Sequence, residues 1–275
     1  MSLARHVLVT GGSKGIGAAV SRRLAADGWR VTVAARSRDA IAATVSALDG
    51  DGHDGLVLDV GDPAAWEAAA PSLQDLAGVV CVAGTIGPIG PAAAVDPGAF
   101  ATALRVNVLG TWLAARATRP ALERSGGALV SFSGGGATGP FARFDAYAAS
   151  KVAVVRVTEN LAADGLRANA VAPGFVVTDL QDDVVAAGPE QVGDDYYNKV
   201  QEAVAAGGGE PPEVAAGLVA FLVSDASRGI SGKLLSARWD PWEDPAFQER
   251  LRTEPDLATL RRIDDQFFTT TPSSP

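Results

Sequence analysis

Residues Val7–Gly17 read VLVTGGSKGIG, and how this stretch folds decides the rest. A short apolar, β-branched run enters a set of glycines, and an alanine-rich run, AAVSRRLAADG, follows. That pattern belongs to a strand feeding a helix through a tight turn. Gly11, Gly15 and Gly17 suit a backbone that approaches a diphosphate closely and aims free amide groups at it. The helix N-terminus adds partial positive charge. The spacing is Gly-x-x-x-Gly-x-Gly, not the commoner Gly-x-Gly-x-x-Gly, and no Gly-Lys-Ser/Thr closes it, which excludes a Walker A loop. A bare strand–helix turn is the alternative; the position in the first βα unit favours a nucleotide.

The same alternation continues outward. Apolar strand candidates lie at 5–10, 29–35, 55–58, 77–82, 127–132, 167–172 and 233–236. Helix candidates lie at 15–27, 38–48, 63–71, 97–123, 145–164 and 211–224. Strands apolar on both faces predict a buried parallel sheet of about seven strands with helices on both sides. The expected fold is a single doubly wound, Rossmann-like α/β domain over residues 1–236. Two segments break the pattern: an acidic insert at 178–210 and an aromatic, charged extension at 237–275. The closing TTTPSSP reads as disordered.

With 275 residues, 47% of them hydrophobic, the chain can bury a sizeable core. A net charge of −9 argues against nucleic acid or an anionic membrane as partner. The one cysteine, Cys81, forbids an internal disulfide and points to a reducing, cytoplasmic compartment. The N-terminal MSLARHVLVTGG lacks the long apolar run of a signal peptide or membrane span. No metal is expected.

The second strand ends VAARSR. An acidic residue there would bind the ribose 2′-hydroxyl of NAD, but Ala35 holds that place and Arg36 follows. Arg36, with Lys14 in the glycine loop, favours a 2′-phosphate and hence NADP(H), against the alternative of a solvated surface arginine. Asp59, in LVLDV, is a candidate for the adenine edge or a cap of the next helix.

DAYAASKVAVVRVTENLA reads as a helix on which Tyr147 and Lys151, four apart, share a face. A phenol has a pKa of about 10 and needs help to act as a base. A nearby ammonium stabilises the phenolate, so the pair can exchange a proton with a carbonyl or alcohol while hydride moves to or from a nicotinamide. A packed tyrosine and a solvated lysine are the bland alternative, which the neighbouring dinucleotide loop disfavours.

TGGSKGIG, YAASK, Asn107 in RVNVLG and Pro173-Gly174 in VAPGFVVTD together resemble the classical short-chain dehydrogenase/reductases, in order and spacing, across roughly residues 4–236, and the Arg36 and Lys14 pattern resembles the NADP-preferring members. The resemblance implies an oxidoreductase interconverting a ketone and a secondary alcohol. Tyr147 would be proton donor or acceptor, and Lys151 would bind the nicotinamide ribose and tune Tyr147. Ser133 would polarise the carbonyl, and Asn107 would hold a proton-relay water. The cofactor would run along Gly11, Ser13, Lys14, Gly15, Ile16 and Gly17, reaching Arg36, Asp59 and Val60. Ala83 and Gly84 on one side, and Pro173, Gly174, Val176 and Thr178 on the other, would complete its bed with Tyr147 and Lys151. Thr178 would contact the carboxamide. A homotetramer or dimer through helices 97–123 and 145–164 is implied as well.

Three places depart from the family pattern. Its serine lies thirteen residues before the tyrosine, where this chain has Gly134. Either Ser133 is the working hydroxyl and Gly134, Gly135 and Gly136 absorb an extra loop residue, or the serine is lost and Ser133 merely ends a strand. CVAG at 81–84 replaces the family's Asn-Asn-Ala-Gly, so bonds bracing the sheet must come from elsewhere, and Cys81 reads as a buried core thiol. In the extension, Trp239 and Trp242 either line a pocket or subunit contact or anchor the extension.

The insert after Pro-Gly is where this fold closes over substrate. From Asp179 to Glu202 it holds seven acidic residues, with Lys199 the one cation, beside Tyr196 and Tyr197. That suggests a lid for a small hydroxylated or cationic molecule, not an acyl chain, although a charge run is also the mark of a solvated helix face. A non-catalytic NADP(H)-binding sensor or scaffold is the competing reading. The displaced serine supports it; Tyr147, Lys151 and Asn107 oppose it. A nucleotide-sugar epimerase or dehydratase is opposed by chain length and glycine spacing.

Overall fold

The computed structural model describes residues 5–261. Seven strands, β1 (His6–Thr10), β2 (Arg30–Ala35), β3 (Asp54–Val57), β4 (Leu76–Cys81), β5 (Ala128–Phe132), β6 (Ala168–Ala172) and β7 (Leu234–Ser236), form one sheet. Their order is β3-β2-β1-β4-β5-β6-β7 and every pairing is parallel. The winding reverses between β1 and β4, which opens a crevice at their carboxyl ends where such sheets bind ligands.

Helices cover both faces. On one side α1 (Gly15–Ala26) and α2 (Arg38–Ser46) bury Val20, Leu24 and Ile41 over β1, β2 and β3, and α9 (Pro212–Val223) buries Leu218 and Leu222 over β4, β5 and β6. On the other, α3 (Pro63–Ala69) and α5 (Gly110–Ser125) bury Trp66, Leu113 and Leu122 against β4 and β5. Between them in sequence lies α4 (Pro97–Leu104); α6 (Asp145–Ala163) follows β5. The carboxylates of Asp62 and Asp96 cap α3 and α4, each just before a proline that suits the first helical turn.

The expected helix 97–123 is two helices: Arg105–Leu109 form a π turn between α4 and α5. The apolar pattern runs through the break, so periodicity alone does not show it. β3 is exposed along much of its length, contrary to the expectation of strands buried on both faces, because it is the sheet's first edge.

The insert folds as α7 (Asp179–Val192), kinked at Gly188 with φ 76°, and α8 (Asp194–Ala205). The extension folds back on the domain. It forms α10 (Pro245–Thr253) and then runs beside β7, where the Leu234 amide donates to the Ala258 carbonyl at 2.7 Å. Lys233 Nζ donates to the carbonyls of Glu254, Pro255 and Leu257. Trp242 packs on Phe221 and donates to the Ala237 carbonyl, so it anchors the extension, whereas Trp239 is 78% exposed. TTTPSSP lies outside the described residues.

Candidate active site

The glycine loop leaves β1 at Gly11, with φ +66°. A Cβ on Gly17 would lie 2.1 Å from the Gly11 carbonyl oxygen, and one on Gly11 2.7 Å from the Ala83 amide nitrogen. Neither position tolerates a side chain, so the loop lies directly on Ala83 beside Gly84 at the end of β4. This is a backbone cradle at the switch point, and it fits a dinucleotide's diphosphate. A Cβ on Gly15 would lie 3.1 Å from the Thr178 methyl, so the insert begins against the loop. Ile16 packs on the core, and the Ser13 carbonyl accepts from Thr44 of α2. Pro173 and Val176 are buried, and Gly174 turns at φ +85°.

Arg36 stands exposed at the end of β2. Lys14 is exposed too, but pairs with Asp179 at the start of α7, 3.0 Å away. The Asp59 carboxylate accepts from the Gly61 amide and faces Arg105 at 3.7 Å. Asp62, not Asp59, caps α3, which removes that alternative for Asp59. Val60 is buried and its carbonyl accepts from Trp66 Nε1.

One turn apart on α6, Tyr147 and Lys151 share a face, with Nζ 5.3 Å from the phenol ring centroid. Nζ donates to the Phe132 carbonyl at 3.0 Å. Burial pushes the Lys151 ammonium down to about 8. Burial, and secondarily the nearby Tyr196 phenol, push Tyr147 up to about 12. The expected lowering of Tyr147 by Lys151 is therefore not what this geometry gives: loss of water around the phenol is the main cause of its shift, and that shift is upward.

Asn107 sits in the π turn, and such turns recur at functional sites. Its Nδ2 donates to the Thr85 carbonyl at 2.9 Å and to Ser150 Oγ at 2.8 Å, while Oδ1 accepts from the Thr85 amide. Ser150 Oγ in turn donates to the Tyr147 carbonyl. Asn107 thus ties the loop after β4 to the turn of α6 that carries Tyr147 and Lys151. A Cβ on Gly84 would lie 3.3 Å from Asn107 Oδ1 and 3.7 Å from Lys151 Nζ, so the three positions meet. Thr178 Oγ1 donates to Gln181 Oε1, capping α7.

Ser133 continues the edge of β5, its amide donating to the Val171 carbonyl. Its Oγ is buried without a hydrogen-bond partner among the described residues. No hydrogen bond joins it to Tyr147. Gly134 holds the place facing the phenol: a Cβ there would lie 2.5 Å from Tyr147 Oη. Of the two readings of SFSGGG, the geometry matches the one in which the serine facing the tyrosine is absent.

Asp179, Asp182, Asp183, Glu190, Asp194, Asp195 and Glu202 are all exposed. What the insert turns inward is Leu180, Val184, Val192, Tyr196 and Val200, packed on Ile86, Phe141 and Phe144. The expected acidic inner face of the insert is therefore corrected: the side it turns to the domain is apolar and aromatic. Phe141 stacks on Phe144 at 4.2 Å and meets Tyr147 edge-on at 6.4 Å. Residues the sequence reading missed include these two phenylalanines, Thr85, Ser150 and Arg143. Arg143 holds φ +70° and donates to the Glu190 and Gln191 carbonyls in the last turn of α7, just before α8. The phenylalanines were visible as aromatics three apart in FARFDAY, just before the tyrosine.

A doubly wound sheet with a glycine cradle at its switch point and a Tyr–Lys pair beside it defines a nucleotide-dependent oxidoreductase. The chain belongs to the short-chain dehydrogenase/reductase family. A family profile described as enoyl-(acyl carrier protein) reductase matches residues 11–237. D-threitol dehydrogenase of Mycolicibacterium smegmatis is 32% identical over 235 residues, covering 82% of this chain and 88% of its own. Dehydrogenase/reductase SDR family member 4 of Sus scrofa is 31% identical, covering 82% and 83%. Among solved structures, a variant of actinorhodin polyketide ketoreductase with NADPH superposes with a TM-score of 0.76 at 25% identity, covering 85% of this chain and 95% of that one. Aldohexose dehydrogenase of Thermoplasma acidophilum gives 0.70 at 26%, covering 85% and 92%. Among the described residues no helix is long and apolar enough to cross a membrane.

Proposed function

We propose that this oxidoreductase is NADP(H)-dependent and interconverts a small ketone and a secondary alcohol. The observation that carries the reading is the buried Tyr147–Lys151 pair beside the glycine cradle. A nicotinamide dinucleotide bound there supplies or accepts the hydride. Tyr147, protonated through the neutral range, gives its proton to the carbonyl oxygen during reduction and takes it back during oxidation. Lys151 holds the nicotinamide ribose, and Asn107 keeps the catalytic turn in register with the loop after β4. Gly11, Ser13, Gly15, Ile16 and Gly17 carry the diphosphate, with Ala83, Gly84, Pro173, Gly174, Val176 and Thr178 flanking the rest. Asp59 and Val60 take the adenine side.

The preference for NADP(H) rests on Arg36 at the end of β2 and on Lys14, with no carboxylate at Ala35. It is tested by affinities for NADPH and NADH: the account expects NADPH to bind at least about tenfold tighter, consistent with a charge-assisted contact of about 1.5–3 kcal/mol. Equal affinities would remove it.

The lid's inward face supports a ketone with an apolar flank. A polar substrate is the second reading, favoured by the D-threitol dehydrogenase relative. A cytoplasmic setting rests on Cys81, a lone buried thiol that burial pushes up to about 12. Self-association through α5 and α6 rests on Trp112, a large apolar side chain 44% exposed on α5. The sensor reading rests on Gly134, and Tyr147, Lys151 and Asn107 weigh against it.

A further inference from the structure

A carbonyl that accepts a proton in a closed site needs a second donor to hold its oxygen, because one hydrogen bond leaves a lone pair unmatched and the carbonyl free to rotate. On β5 that donor is missing. Position 134, whose Cβ direction meets Tyr147 Oη at 2.5 Å, is a glycine. The neighbouring Ser133 hydroxyl is buried, but it bonds neither to Tyr147 nor to any other described residue.

The lid offers a donor instead. Tyr196, in the first turn of α8, packs edge-on against Phe141 at 5.0 Å and Phe144 at 5.4 Å. Phe141 also meets Tyr147 edge-on, so both phenols belong to one aromatic cluster over the catalytic turn. They are near enough for Tyr196 to raise the pKa of Tyr147. The adjacent Tyr197 hydroxyl is occupied by Gln201 at 2.9 Å; no such bond engages the Tyr196 hydroxyl among the described residues. Its ring is fixed by two aromatic contacts while its hydroxyl is left to donate.

We infer that the Tyr196 hydroxyl is the second donor to the substrate carbonyl, supplied from the lid in place of a side chain at position 134. The inference rests on the ketone/alcohol reading of the site. In the reduction, hydride from the reduced nicotinamide adds to the carbonyl carbon as the C=O π bond breaks. The proton from Tyr147 Oη goes to the oxygen. Tyr196 keeps its proton throughout and only donates a hydrogen bond. Because it sits on α8, the site is complete only with the lid seated on Phe141 and Phe144.

The test compares wild type, Tyr196→Phe, Ser133→Ala and Tyr147→Phe. It follows NADPH oxidation with cyclohexanone, acetophenone and dihydroxyacetone, and measures NADPH affinity by fluorescence. Phenylalanine preserves the ring contacts, so melting temperature and NADPH affinity are expected to stay at wild-type values. Meanwhile kcat/KM is expected to fall about a hundredfold, the scale of losing one donor to a developing oxyanion. Ser133→Ala is expected to stay near wild type. Wild-type kcat/KM in Tyr196→Phe, or a loss confined to Ser133→Ala, overturns the inference and leaves the oxidoreductase reading standing. Lost NADPH affinity in Tyr196→Phe also overturns it, since a group that touches only substrate leaves the cofactor alone. Full turnover by Tyr147→Phe, or no turnover of any of the three ketones by wild type, overturns the ketone reading itself and the inference with it.

Discussion

Tyr147 keeps its proton through the neutral range because burial pushes its phenol up to about 12, so the group near it that titrates closer to neutrality is Lys151, at about 8. The ammonium is present below that value and lost above it. Ketone reduction is therefore expected to hold steady from pH 6 to 7.5 and to fall as pH rises through about 8. In Lys151→Arg, whose guanidinium stays charged, the residual rate should lose that limb. A log kcat/KM profile from pH 6 to 10 checks it; the same limb in both enzymes would assign it elsewhere. Lys14 carries a second residue-scale consequence. Its partner Asp179 competes with any phosphate the lysine would hold. Because the pair is exposed, the gain is small: Asp179→Asn is expected to tighten NADPH binding by up to about fivefold, and not at all in a Lys14→Ala background. Positions fixed by backbone geometry or by helical spacing were legible in the sequence: Gly11 and Gly17 because no side chain fits there, and Tyr147 beside Lys151 because a helical turn sets them on one face. Ser133 was not legible in the same way, because a one-residue offset decides which position faces the phenol, and only the path of the chain after β5 puts Gly134 there.

At the scale of elements, the lid is held by one strained residue. Arg143 adopts a left-handed backbone conformation that costs a non-glycine residue about 1–2 kcal/mol, and spends its guanidinium on carbonyls at the α7–α8 junction. Its own carbonyl accepts from the Gly90 amide in the loop after β4. Arg143→Ala keeps the strain and loses the clamp. Amide exchange across residues 179–205 is expected to quicken by about tenfold, with KM for the ketone rising more than kcat falls. Unchanged exchange would show that the apolar contacts alone seat the lid. Those contacts had a sequence signature, since Leu180, Val184 and Ala187 recur at helical spacing; counting the acidic residues between them hid it. The π turn had none, because an extra residue inside a continuous apolar helix leaves the composition unchanged.

Across the whole molecule, the alternation of apolar runs was enough to read the doubly wound sheet, because parallel strands buried between helix layers leave little else for the pattern to mean. The extension was not readable in the same way: its role as a cover for the last sheet edge depends on Lys233 and Leu234 reaching carbonyls some twenty residues onward. Truncation before Pro245 uncovers β7 and is expected to lower the melting temperature and promote aggregation, read by light scattering during a thermal ramp. An equally stable, clear truncated protein would show the cover to be dispensable. The central claim, however, is that this fold presents Tyr147 as the proton donor for a nicotinamide-dependent reduction. The most direct measurement is single-turnover oxidation of bound NADPH by a ketone the wild type reduces, in wild type and Tyr147→Phe. The account predicts NADPH affinity within about twofold in the two proteins, and a rate of oxidation at least about a hundredfold slower in the variant. Equal rates would mean that the proton comes from elsewhere and that the Tyr147–Lys151 pair is structural.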